Sequence, residues 1–286
     1  MEQHTYVYNK GDVTYSIVIP VYNQENIILR NLKSIIKNTL DNYEIIIILD
    51  FCFDNTESKL LTFLESTHFS KKNLIQITVL VNHEKPLFET KCDNIGFKRS
   101  IGKYCLEIQS DMEMTQYGYN RELVKPFLKY ENVIGVSGRC AHTIFGGYKC
   151  VGRINIEQSV DEIGIERCRF YVLETCNRGP LMLDKKKLEE MNYLNEEDYF
   201  LDNSDHDLFI RSNIEKGYIC GYVPIDFNAP LCDGSCRNQN TYDNCENYLI
   251  NKAEKERLTA ISENKPTIQQ KYGSKWVPKR HIIYDL

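Results

Sequence analysis

Four short apolar runs, separated by stretches of helical spacing, constrain this chain more than any other feature. Tyr15–Val21 (YSIVIPV), Glu44–Leu49 (EIIIIL), Leu74–Val81 and Tyr104–Ile108 are rich in β-branched residues. Their length and composition are those of buried strands. Between the first two, residues 26–40 carry apolar side chains at Ile28, Leu32, Ile35, Ile36 and Leu40, the spacing of a helix face. Further helices are predicted over 54–64 and 93–102. A β-α-β-α-β-α-β order of this kind implies an α/β fold, with a doubly wound, mostly parallel sheet flanked by helices.

The second half is less regular. Strands are predicted at 133–137 and 218–223, and helices at 186–191, 205–216 and 245–261. From Asn228 the chain turns polar and rich in Asn, Cys and Gly. With no repeat and no low-complexity linker, the expectation is one domain over 1–227, divided into a half at 13–115 and a half at 116–227. A C-terminal extension, 228–286, is expected to pack on it.

A chain of 286 residues with 42% hydrophobic content can bury a large core. A net charge of -5 argues against a general nucleic-acid binder, which needs a basic patch. Lys185-Lys186-Lys187 reads most simply as a solvated helix face. Met1 to Asp12 is polar and lacks a signal-peptide core. No run approaches the ~18 apolar residues of a membrane span. The expectation is a cytoplasmic protein with reduced thiols. Of its 11 cysteines, Cys232, Cys236 and Cys245 form a C-x3-C-x8-C cluster without a fourth ligand at familiar spacing. Small buried or surface thiols are the simpler reading than zinc. The abundance of Asn, Lys and Ile is that of an AT-rich genome, as in a microbe or a large virus.

Ligands of open parallel sheets bind beyond the carboxyl ends of the strands. Pro20-Val21-Tyr22-Asn23-Gln24-Glu25 follows the first strand, Asp50 to Thr56 the second, and Gln109-Ser110-Asp111-Met112-Glu113 the fourth. Polar or acidic groups stand at all three ends and together make one rim. Glu113 lies two residues beyond Asp111, so an extended segment would aim both carboxylates to one side.

These residues carry a resemblance. SIVIPVYNQENIILRNLKSI is similar to the opening of family 2 glycosyltransferases, which have the GT-A fold. Leu49-Asp50-Phe51-Cys52-Phe53-Asp54-Asn55-Thr56 resembles that family's two aspartates, Gly-Ser-x and Asp-Asn-Thr, with Leu49 replacing the first aspartate. Asp93-Asn94-Ile95-Gly96 resembles its Arg-Asn-x-Gly, and Gly102-Lys103-Tyr104 its Gly-Glu-Tyr. The similarity spans roughly residues 15 to 225.

The resemblance implies transfer of a sugar from a nucleotide-sugar donor, with a UDP-sugar favoured, to a hydroxyl of a glycan or other acceptor. It places Pro20, Tyr22, Glu25, Asp50, Asn94, Gln109 and Ser110 at the nucleotide. Asp50 would accept a hydrogen bond from the base, a task suited to an ionised carboxylate and to the imide N–H of uracil or thymine. Asp111 matches the last acid of an Asp-x-Asp motif whose first acid is Gln109 here. With Glu113, it would hold Mn²⁺ or Mg²⁺ against the diphosphate. The family's further metal ligand, often a His, is missing; Asn228, Asp233 and His281 are the substitutes on offer.

Asn203-Ser204-Asp205-His206-Asp207-Leu208 resembles the family's Glu-Asp-x-Asp-Leu. Asp205 then stands at the catalytic base of an inverting transfer. Asp207 and His206 would lie near the acceptor or donor sugar, and His206 also competes as base on its intrinsic pKa. Arg178 and Gly179, in Cys176-Asn177-Arg178-Gly179-Pro180, would reach a phosphate or an acceptor hydroxyl. Simpler roles stand beside these: a turn-capping Asp50, surface loop acids at 111 and 113, and helix-dipole acids at 205 and 207. Two other functions compete. A nucleotidyltransferase would carry a Gly-rich basic loop, which PVYNQEN lacks. A non-catalytic binding module is suggested by Leu49, Gln109 and Ser204, each standing where the family has an acid.

Overall fold

The computed structural model describes residues 1–153, 158–229, 245–277 and 281–286. The first half runs β1 (Glu2–Val7), β2 (Tyr15–Val21), α1 (Ile28–Asn38), β3 (Tyr43–Asp50), α2 (Thr56–Ser66), β4 (Leu74–Asn82), α3 (Glu89–Arg99), β5 (Tyr104–Glu107) and β6 (Glu113–Met114). Next come α4 (Tyr119–Lys129), β7 (Val133–Ser137), β8 (Cys140–Thr143), β9 (Lys149–Gly152), β10 (Arg169–Leu173), β11 (Thr175–Cys176) and β12 (Leu181–Asp184). The chain ends with α5 (Lys185–Glu190), α6 (Ser204–Lys216), β13 (Ile219–Tyr222), β14 (Phe227–Asn228), α7 (Glu246–Glu263), α8 (Ile268–Tyr272) and β15 (Ile282–Asp285).

The main sheet has the order β1-β4-β3-β2-β5-β12-β7-β13-β10-β15. Strands β2, β3, β4, β5, β7, β13 and β15 point one way and β1, β12 and β10 the other, so the sheet is mixed and largely parallel. All eight residues of β3 are buried, as expected of a central strand covered on both faces. Alternate residues serve the two faces. Ile17, Ile19, Ile45 and Ile47 pack with Ile28, Leu32 and Ile35 of α1 and with Leu60 and Leu64 of α2. Val18, Ile46 and Ile48 face the other way, toward Cys92 and Phe97 of α3 and Leu208 and Phe209 of α6. Each such side chain contributes roughly 1.5–3 kcal/mol on burial. Gly96 lets α3 lie close on the sheet, since a Cβ there would sit 2.3 Å from Val18 Cγ1.

The expected strands and helices are all present, most to within two residues at either end. Helix α3 is the larger departure, starting at Glu89 rather than residue 93, so Asp93 lies one turn inside it. Unforeseen elements are the antiparallel edge strand β1, the helices α4 and α8, the hairpin β8–β9 with β11 in a second sheet, the β6–β14 pair in a third, and β12, β10 and β15 in the main one. In the C-terminal extension, β15 pairs with β10 and α8 rests on α6 through Ile210, Ile268 and Tyr272. None of the residues of α7 is buried. Among the described residues no helix is long and apolar enough to cross a membrane. Strands β3 and β4 lie on one side of β2 and β5 on the other, so the winding reverses between β2 and β5. Ligand crevices open at such reversals.

Candidate active site

The loops after β2 and β3 are sewn together. Phe53 N donates to Asn23 Oδ1 (3.0 Å), Gln24 N to Thr56 Oγ1 (2.7 Å) and Glu25 N to Asp54 Oδ2 (3.1 Å). Glu25 Oε2 accepts from Asn55 Nδ2 (2.8 Å) and Lys59 Nζ (3.3 Å). The Asn55 bond holds the Glu25 carboxyl below its usual range. Glu25 therefore acts as a staple between loops. Pro20 and Tyr22 are half-buried beside it, and the Tyr22 ring meets Phe53 edge-on at 5.8 Å.

Asp50 ends β3 almost fully buried. Its Oδ1 accepts from Asn82 Nδ2 (2.9 Å) and Leu87 N (3.0 Å), and its Oδ2 from Leu87 N (3.1 Å) and Phe88 N (2.9 Å). Burial pushes its carboxyl up, against the pull of these donors. Each oxygen already takes two donors, so direct recognition of a base would need one of them to be given up. What the sequence did not reveal is that Asp50 orders the loop after β4. Asn94 is engaged as well. Its Nδ2 donates to Leu194 O (2.9 Å) and Glu196 Oε2 (2.8 Å), and its Oδ1 accepts from Leu194 N (3.0 Å). The Asn94 amide is thus spent on the segment before α6, and its side chain is buried.

After β5 the chain turns instead of extending, with Met112 N donating to Gln109 O at 3.2 Å. Asn31 of α1 clasps this turn, its Nδ2 donating to Gln109 O (3.0 Å) and Met112 O (2.7 Å). The turn removes the basis for pairing Asp111 with Glu113. Glu113 sits in β6 with both oxygens engaged, accepting from Arg30 Nε (3.0 Å) and Nη2 (2.6 Å) and from Asn228 Nδ2 (2.9 Å). The arginine fork already neutralises this carboxylate, which makes Glu113 a poorer cation ligand. Asn228 is thereby committed too. His281 precedes β15 at a separate cavity of about 290 Å³ with Glu174 and Trp276, and Asp233, Cys232 and Cys236 lie outside the described residues. Asp111 is half-buried in the turn beside buried Ser110. One or two carboxylates plus substrate phosphates suffice for Mg²⁺ or Mn²⁺, so Asp111 fits as the protein's hard oxygen donor.

Behind the turn lies a group that the sequence did not announce. Carboxylate oxygens of Glu89, Asp93 and Glu107 converge within 4.8 Å. Three acids so close demand a cation, and Arg178 supplies it. Its Nη1 donates to Asp93 Oδ2 at 2.8 Å and stands 3.8 Å from Glu89 Oε1, while Nη2 donates to Leu201 O. Burial pushes the Asp93 carboxyl up to about 7 even with the guanidinium pulling it back, and burial raises Glu107 well above its usual range. Gly179 N donates to Glu107 Oε2 at 2.7 Å. Gln109 Nε2 donates to Glu89 Oε1 at 2.9 Å. Gly179 has a left-handed φ of +65°, and a Cβ there would lie 2.7 Å from Gln109 Oε1. A signal for Glu107 did exist: a lone acid inside the apolar strand YCLEI. Asp93 occupies the position of the arginine in the resembling motif, and Arg178 returns the charge from another element.

Asp205 joins this network at the start of α6. Its Oδ2 accepts from Arg178 N (3.1 Å) and its Oδ1 from His206 N (2.8 Å). Burial pushes its carboxyl up, but His206, Arg178 and the two amides pull harder and leave it below the usual range. The helix dipole works the same way. Asp205 is thus an ionised, fixed acceptor. His206 turns aside, its ring 5.8 Å from that of His142. Asp207 points elsewhere: two residues along a helix point about 200° apart, and Asp207 faces the C-terminal extension. Its Oδ1 accepts from Lys271 Nζ (2.8 Å) and Tyr272 Oη (2.6 Å), and its Oδ2 from Arg211 Nε (3.2 Å). These bonds hold α8 to α6.

The family model described as Glycosyl transferase family 2 matches residues 16–190, well over half of the chain. The chain is 26% identical over 216 residues to the Escherichia coli protein WfgD, a UDP-Glc:alpha-D-GlcNAc-diphosphoundecaprenol beta-1,3-glucosyltransferase, covering 74% of this chain and 76% of that one. An uncharacterized glycosyltransferase of Rickettsia bellii is 30% identical over 128 residues, 43% of this chain but only 16% of that longer protein. Among solved structures, GalNAc-T7 with UDP, GalNAc and Mn²⁺ superposes with a TM-score of 0.58 at 17% identity, over 76% of this chain and 43% of that one. At that identity the likeness is one of fold, the GT-A α/β sheet.

Proposed function

The chain belongs to glycosyl transferase family 2, and from that premise we propose that it is a glycosyltransferase carrying out an inverting transfer from a UDP-sugar to a hydroxyl of a glycan or other acceptor, with Asp205 as base. The observation that carries this reading is the Asp205 carboxylate: buried, ionised and aimed by two backbone amides where the strand-end rim meets α6. In the transfer, the acceptor oxygen bonds to the anomeric carbon as the bond from that carbon to the diphosphate breaks on the opposite side. The acceptor proton passes to Asp205, and the electron pair of the broken bond leaves with UDP. Mn²⁺ or Mg²⁺ held by Asp111 would supply positive charge against that leaving group.

Arg178 keeps the base oriented through its amide and balances the acids behind it through its guanidinium. Asp50 shapes the base pocket by ordering residues 82–88, and Tyr22 and Pro20 line the neighbouring strand end. Support for UDP comes from the UDP-Glc donor in the name of WfgD, and for UDP with Mn²⁺ from the GalNAc-T7 complex. The test is UDP release from a panel of UDP-sugars with Mn²⁺, with and without candidate acceptors. Acceptor-stimulated release is expected. Binding with no release under any condition would make the chain a binding module, and synthesis of UDP-sugar from UTP and a sugar phosphate would make it a nucleotidyltransferase.

A further inference from the structure

Away from the diphosphate rim, the hairpin β8–β9 gathers three side chains of a different chemistry. Cys140 and His142 are two apart on β8 and so share a face. Cys150 of β9 stands directly opposite His142 in the register, where cross-strand Cβ atoms are about 4.5–5.5 Å apart. The two Sγ atoms and an imidazole nitrogen all lie within 4.8 Å of one another, with Cys140 Sγ 3.3 Å from His142 Nε2. Ligand atoms around a tetrahedral zinc ion are about 3.3–3.8 Å apart, so small side-chain shifts complete the set.

The imidazole has little else to hold it. His142 is only 4% exposed, its Nε2 faces a thiol, and its Nδ1 has no partner among the described residues. The nearby His206 ring also has an Nδ1 without a partner among the described residues.

We propose that Cys140, His142 and Cys150 bind a thiophilic divalent metal, zinc foremost, through two thiolates and one imidazole. A fourth position is left for water or for His206. Both sulfurs bind as thiolates, and a proton still held by either thiol passes to solvent. Soft sulfur ligands select zinc over Mg²⁺ or Mn²⁺, which separates this site from the hard oxygen of Asp111. The metal pins the hairpin beside the candidate base, because Asn177 N donates to Cys140 O at 3.1 Å and β11 pairs with β8 just before Arg178. The site itself does not depend on the sugar-transfer reading.

The test is a Co²⁺ titration of the metal-free full chain, kept reduced with a phosphine and followed by absorption. One equivalent of Co²⁺ is expected to give thiolate charge-transfer bands and the strong visible bands of tetrahedral Co²⁺, both reversed by Zn²⁺. Cys150→Ser and His142→Ala are expected to weaken binding by about a hundredfold or more, since loss of even an outer partner costs 10–100-fold. Cys168→Ser and the pair Cys232→Ser, Cys236→Ser should leave binding unchanged. Should the ligand variants fail to fold, alkylation of the parent with peptide mapping decides. Zn²⁺ is expected to slow modification of Cys140 and Cys150 but not of exposed Cys168. No thiolate spectrum, a spectrum lost only with Cys232 and Cys236, or unchanged alkylation at Cys140 and Cys150 would overturn the assignment.

Discussion

The backbone amide of Arg178 donates to Asp205 Oδ2 at 3.1 Å, so the residue that balances the buried acids also aims the candidate base. Removing its side chain leaves Asp93, Glu89 and Glu107 clustered without their cation. Above about pH 7, where Asp93 is ionised, Arg178→Met is expected to lower stability by about 3–5 kcal/mol, the cost of breaking a buried ion pair by deleting one partner. Chemical denaturation measures it. Arg178→Lys, which keeps charge but not the fork, should fall between the parent and the Met variant. A loss under ~1 kcal/mol for Arg178→Met would contradict the buried-pair account.

The same acids set a pH dependence. Asp93 titrates near 3.8 when unfolded and about 7 when folded, so the folded protein binds the extra proton between those values. Stability from this group is full below the unfolded value and is lost as pH rises through about 7. Glu107 acts in the same direction. Asp198, pulled down to about 2 chiefly by its bond to Lys265, contributes the reverse: its stabilisation is lost as pH falls below about 4. The melting temperature is therefore expected to rise as pH drops from about 8 to about 5, then fall in stronger acid. Asp93→Asn should flatten the upper slope, and an unchanged slope would remove Asp93 from this role.

Asp207 ties α8 to α6 through Lys271 and Tyr272. Asp207→Asn is expected to lower stability by about 1–3 kcal/mol, the usual loss when a buried charged acceptor is removed from its donors. UDP affinity should stay at the parental value. A double-mutant cycle with Lys271→Met checks the link, and a coupling energy indistinguishable from zero would count against it.

At the diphosphate, Asp111→Asn should weaken Mn²⁺-dependent UDP binding with no change in melting temperature. Isothermal titration across Mn²⁺ concentrations reads this directly. Glu113→Gln should have little effect, because Arg30 and Asn228 already occupy that carboxylate. A larger loss from Glu113→Gln than from Asp111→Asn would reverse the assignment.

The parallel half was legible because β2, β3 and β4 are largely buried on both faces and read as mostly apolar runs rich in β-branched residues. Glu2–Val7 escaped notice because an antiparallel edge strand with exposed alternate residues need not be apolar. The strands of the hairpin β8–β9 are four residues each, too short for a period to show. Helix α4 was hidden by Pro126 inside it. In the candidate site, Asp205 was singled out by its motif, and its role as base is the proposal made above. The buried acids around Arg178 were missed because Glu89, Asp93 and Glu107 come together only through the crossing of α3 over the end of β5. The turn at Gln109 to Met112, clasped by Asn31 from another helix, is likewise a tertiary outcome.

The central claim is that Asp205 takes the acceptor proton. It is tested most directly by the turnover of Asp205→Asn with acceptor present and UDP-sugar saturating. Loss of a positioned base typically costs about 10²–10⁴-fold, and a fall of that size with donor affinity retained is the expected result. His206→Ala should cost far less. Near-parental turnover in Asp205→Asn, or a greater loss in His206→Ala, would contradict the account.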